Sequence, residues 1–103
     1  MNDPNPEDRP APSESRPDST AFHRAGPLPP WRVLLHDDEV HERSYVADVL
    51  NDALPLSYAA AMQRVIQAHR HGVALILITH RELAELYYLQ LSKRDLIVSI
   101  EAA

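Results

Sequence analysis

Cysteine is absent from the 103 residues. Disulfides, thiolate–zinc sites and thiol catalysis are therefore excluded. Glycine occurs only at Gly26 and Gly72. That leaves no phosphate-cradling glycine loop and no strained Gly-x-Ser-x-Gly turn to present a nucleophile. Enzymatic chemistry has almost no support. The longest apolar run, Val73–Thr79, is strand-sized and far short of a membrane span. The N-terminus, MNDPNPEDRP, carries neither the basic start nor the apolar stretch of a signal peptide. Positive charge is in the minority: the formal net charge is −5 with histidines neutral, which disfavours phosphate backbones. The expectation is a soluble cytoplasmic monomer with no nucleic-acid or membrane partner.

Residues 1–30 hold eight of the nine prolines, with Ser, Asp, Glu and Arg between them. Such a segment cannot bury enough apolar surface to offset its ordering entropy, so a disordered tail is expected. Residues 31–103 read as one compact domain. Trp31–Leu35 (WRVLL) is a first strand, ended by the acidic His36-Asp37-Asp38-Glu39. From Glu42, Tyr45, Val46, Val49, Leu50, Ala53 and Leu54 fall on one helical face, and Pro55 stops that helix. Ser57 is placed to cap a second helix with Tyr58, Met62, Val65, Ile66 and His69 along one side, and Gly72 ends it. Val73–Thr79 is expected to be a buried strand. Thr79 then caps a third helix in a capping box with Glu82; this helix carries Leu83, Leu86, Tyr87 and Leu91 and runs to about Ser92. Asp95–Glu101 alternates as a last strand, with Leu96, Val98 and Ile100 on one face. The order β-α-α-β-α-β predicts an α+β domain: a three-stranded antiparallel sheet with three helices packed on one face.

The acidic turn is the most unusual segment. Consecutive carboxylates repel one another and cannot pack in a core, so water or a positive group belongs among them. A solvated turn is the plain reading. A phosphate-relay receiver domain is excluded, because the next acids, Asp48 and Asp52, fall inside the first helix and the chain is too short for a doubly wound sheet. Six histidines raise the alternative of a histidine/carboxylate metal-binding protein, but no metal-ligand spacing occurs within one element. No metal or other cofactor is expected. The remaining chemistry is capture of an ammonium group, whose three N–H donors need acceptors converging from several directions. Carboxylates on the turn and a histidine nitrogen would supply them. His69 lies near the end of the second helix, where a histidine is more often a satisfied core residue than a ligand. Periodicity leaves both readings open.

From Trp31 to Glu101 the chain resembles ClpS, the adaptor of the bacterial Clp protease that recognises N-degrons. VLLHDDE (33–39) matches the family's strand running into Asn-Asp-Asp, and YVADVL (45–50) its Phe-Val-x-Asp-Val-Leu helix. AHRHG (68–72) matches its Val-His-x-x-Gly helix end, HRELAE (80–85) the opening of its third helix, and LIVSIE (96–101) its last strand. The resemblance implies an adaptor, not an enzyme. Its partners would be the N-terminal domain of the Clp ATPase and protein substrates whose first residue is Leu, Phe, Tyr or Trp. It implies that Asp37, Asp38 and His69 surround the substrate α-amine and that Val46, Val65, Ala68 and Leu96 line the side-chain pocket. Glu82 and Tyr87 fall on the helix that faces the ATPase, and the N-terminal tail serves delivery.

The departures from the family pattern gather at this pocket. Asp37 stands where Asn is usual, Glu39 where Asp is, His41 where Thr is, and Glu42-Arg43 where Pro-Met is; Val65 replaces Met and, on the third helix, Tyr87 replaces Lys. Glu39, His41 and Arg43 would form the pocket rim. Repulsion between Asp37 and Asp38 is expected to raise one of their pKa values. Arg43 is free to neutralise the turn, take the amine's place or point into water. The alternative function is a divergent paralogue that docks on the Clp ATPase but binds another ligand or inhibits.

Overall fold

The computed structural model describes residues 28–103. The expected tail therefore lies, up to residue 27, outside the described residues. Strand β1, Trp31–His36, begins at Pro29-Pro30, which have no N–H to extend a ladder inward. Along it Val33 and Leu35 are buried, while Arg32, Leu34 and His36 alternate to the other face. β1 is the central strand of the order β2-β1-β3, antiparallel to both neighbours.

Helix α1, Arg43–Ala53, buries Val46, Ala47, Val49 and Leu50. It ends at Leu54, which is extended as the residue before a proline prefers to be. Helix α2, Tyr58–His71, is capped at its start by Ser57, whose hydroxyl accepts from the Ala60 amide at 3.1 Å. It ends at Gly72, with φ 86°, a conformation that costs an L side chain strain. The buried face of α2 is Ala61, Val65 and Ala68, rotated from the expected stripe; Tyr58 is exposed. Likewise α3, Arg81–Lys93, buries Ala84 and Leu91, while Leu86 is exposed. Alanines let these helices lie close to the sheet and leave the larger apolar side chains at the margins. α2 and α3 rest on the sheet, and α1 packs against both.

Strand β2, Val73–Thr79, is an edge strand and only alternately buried, not buried throughout. Val73, Leu75 and Ile78 are exposed. Its register against β1 slips between Val33 and Leu34, which pair with Leu77 and Leu75 and leave Ile76 as the extra residue. This bulge lets the adjacent Ile76 and Leu77 both reach the core, and the Ile76 carbonyl accepts from Arg64 Nε at 3.2 Å. Because Thr79 is still paired with Trp31, the cap of α3 falls one residue later than expected. His80 supplies it, accepting from the Leu83 amide through Nδ1 at 3.3 Å. β3 is shorter than expected, Val98–Ala102. Asp95 adopts φ 70° and turns the chain back, and Leu96 is buried before the strand begins. Among the described residues the core is wholly apolar, centred on Val33, Leu35, Val49, Leu50, Ile76 and Leu91, and no helix is long and apolar enough to cross a membrane.

Candidate functional site

The turn after β1 is anchored by backbone bonds on two sides. The His36 amide donates to the Ile97 carbonyl at 2.9 Å, and the Asp37 amide to the Gly72 carbonyl at 3.0 Å. The second bond ties the acidic turn to the end of α2, where His69 sits. His69 Nδ1 lies 3.4 Å from Asp37 Oδ1, with both side chains reachable from solvent (54% and 28% exposed). His69 is therefore a surface residue facing a carboxylate and not a core histidine.

Asp38 is held differently. Its Oδ1 accepts from the amides of Val40 (2.8 Å) and His41 (3.0 Å), and its Oδ2 lies 2.6 Å from His41 Nδ1. Its side chain is only 6% exposed. Burial alone would push this carboxyl up, but the hydrogen bonds from the His41 amide and ring and from the Val40 amide outweigh it, and the pKa lies below the ordinary carboxylate value. The expected rise from Asp37–Asp38 repulsion is thus not met at Asp38: local donors set the direction. The His41 ring in turn stacks on Tyr45, centroids 5.0 Å apart, and the Tyr45 hydroxyl donates to the Arg94 carbonyl at 2.8 Å.

These groups surround a small recess, open to solvent and lined by Leu35, His36, Asp37, Asp38, His41, Arg43, Val46, Val65, Ala68 and His69. Its floor is apolar and its rim polar. Of the residues expected here, Asp37, Asp38, His69, His41, Arg43, Val46, Val65 and Ala68 come together. Glu39 is exposed outside the recess, and Leu96 is buried in the core and does not line it. Arg43 lines the recess without pairing with Asp37, Asp38 or Glu39, so it does not neutralise the turn. Leu35 and His36 were not expected. Leu35 is the last inward residue of β1, which the alternation of that strand implies. His36 is turned to Ser99, Nε2 to Oγ 2.7 Å, and nothing in the sequence signalled that contact. Among the described residues no three His, Asp or Glu side chains are placed to hold a metal ion.

On α3, Glu82 is exposed in the first turn. Tyr87 instead packs partly against the core. The apolar residues facing outward near Glu82 and Glu85 are Leu86 and Leu89.

A family model described as ATP-dependent Clp protease adaptor protein ClpS matches residues 27–96. The ATP-dependent Clp protease adapter protein ClpS of Synechococcus sp. (strain CC9902) is 39% identical over 74 residues, 71% of this chain and 71% of its own. That of Synechococcus elongatus is 34% identical over 87 residues, 84% of this chain and 90% of its own. Agrobacterium tumefaciens ClpS2, solved bound to L-phenylalaninamide, is similar in fold, with a TM-score of 0.70 at 23% identity, covering 75% of this chain and 100% of that one.

Proposed function

The chain belongs to the ClpS family of Clp protease adaptors, and from that premise we propose that its recess receives the free N-terminus of a protein substrate for delivery to the Clp protease. The observation that carries this reading is the pair Asp37 Oδ1 and His69 Nδ1, 3.4 Å apart above an apolar floor. One ammonium nitrogen set beside this pair, at the apex of a triangle over the two acceptors, reaches both at ordinary hydrogen-bond length. Asp38 Oδ2 keeps one acceptor position beyond its bond to His41. Leu35, Val46, Val65 and Ala68 would hold the first side chain. The solved ClpS2, whose ligand joins an α-amine to an aromatic side chain, supports the same pairing of groups.

Burying one large apolar side chain contributes about 1.5–3 kcal/mol, and each charge-assisted bond to the amine about as much. After the ordering cost, micromolar affinity is expected. Glu82, with Leu86 and Leu89 beside it, would face the N-terminal domain of the Clp ATPase, and residues 1–30 would be the arm that the unfoldase engages.

The test is a fluorescence-anisotropy titration of peptides differing only in their first residue: Leu, Phe, Tyr, Trp, Met, Arg and Gly, with an N-acetylated Leu control. Tight binding of a bulky apolar subset, lost on acetylation, is expected. Failure of every peptide would discard the reading and leave an adaptor that docks on the ATPase with a different cargo.

A further inference from the structure

We propose that His41 is a positioning residue of this site: its ring holds Asp38 and fixes the direction in which Asp38 presents its remaining acceptor position to the amine. The inference rests on the reading of the recess as an amine site. Three contacts carry it. His41 Nδ1 is 2.6 Å from Asp38 Oδ2, its own amide donates to Oδ1 at 3.0 Å, and its ring is clamped face to face on Tyr45. Tyr45 is itself bonded to the loop beyond α3. The carboxylate therefore has no rotational freedom to spare, and it is enclosed by the residues that orient it.

The protonation of the ring follows from the bond. An ionised carboxylate only accepts, so Nδ1 must carry a proton and Nε2 is the nitrogen left free to take a second. With Nε2 bare, the ring is neutral and the full charge of Asp38 acts on the amine. With Nε2 protonated, the imidazolium cancels that charge. The charged and titratable groups around it are His36, Asp37 and Asp38 at the end of β1, Arg43 and Tyr45 on α1, and His69 on α2. His69 must also be neutral to accept from the amine. Protonation of either ring thus opposes binding, and affinity should rise from acid toward neutral pH, until the peptide's own amine deprotonates near pH 8.

The experiment measures the affinity of the tightest-binding free-amine peptide from pH 5 to 8 for the unsubstituted protein, His41→Ala and His41→Asn, with thermal melts to confirm folding. Affinity is expected to fall more steeply in acid for the unsubstituted protein than for either variant, because only the unsubstituted protein carries the imidazole whose protonation opposes the charge of Asp38. At pH 7.5 His41→Ala should bind about tenfold more weakly, the equivalent of one charge-assisted bond. His41→Asn, which keeps a donor for Asp38, should recover most of that loss. If His41→Ala does not fold, the slope of His41→Asn decides. Equal losses at every pH with an unchanged slope would show that the ring is only part of the scaffold, and unchanged binding would remove it from the site; either overturns the inference. An unsubstituted protein that binds no peptide overturns the reading of the recess itself, and this inference with it.

Discussion

A proton arriving on Asp38 must displace one of three donors, from Val40, the His41 amide or the His41 ring. That is why its pKa is depressed in the folded chain. A depressed carboxyl contributes stability that is fully present above its unfolded value, near pH 4, and is lost as pH falls through the folded value. Asp38→Asn should therefore melt lower than the parent at pH 7, and the two melting temperatures should converge as the pH is taken below 4. A gap that stays constant with pH would assign the loss to packing alone. Gly72 is a second point of strain relief. A Cβ there would meet nothing within 4 Å, but φ is 86°. Gly72→Ala should cost about 1–2 kcal/mol from backbone conformation alone, read as a lowered urea midpoint with an unchanged slope. Both residues were legible in the sequence, Gly72 as a helix stop and Asp38 as part of an odd acidic run. The partner of Asp38 was not, because His41 lies three residues away on an irregular turn whose geometry no periodicity describes.

At the scale of elements, periodicity located all six; it found inward side chains such as Val49, Leu50, Val65 and Leu91 and missed others. In α2 and α3 the small residues Ala61, Ala68 and Ala84 are buried, whereas Tyr58 and Leu86 of the expected stripes are exposed. Close approach of a helix to a sheet selects for small volume, and a scale of apolarity alone does not see that. The bulge in β2 has the same lesson. VALILIT has no polar residue before Thr79 to reveal its alternation, so the doubled inward pair Ile76 and Leu77 was invisible. The displaced cap of α3 yields a prediction. A histidine nitrogen at 3.3 Å is a weak acceptor at a position where Ser, Thr, Asp and Asn are preferred. His80→Ser should stabilise the chain by about 0.5–1 kcal/mol, checked by chemical denaturation.

For the molecule as a whole, the two proposed surfaces are built from different elements. The recess takes its lining from β1, the turn after it, α1 and α2, and α3 contributes none of it. Glu82→Lys should then abolish association with the isolated N-terminal domain of the Clp ATPase while peptide affinity stays within about twofold. Calorimetry against that domain, run beside the anisotropy titration, checks both halves. A joint loss of the two would mean that the surfaces communicate. The placing of the recess also has a kinetic consequence. Asp37 and His69 are set opposite one another by the amide-to-carbonyl bonds at Ile97 and Gly72, before any substrate arrives. A site assembled in advance imposes no rearrangement on the encounter, so arrival should proceed at the rate ordinary for rigid partners, about 10⁵–10⁷ M⁻¹s⁻¹. Discrimination among N-termini would then be exercised by dwell time: every chain end is admitted at nearly the same speed, and the favoured ones are those that leave slowly.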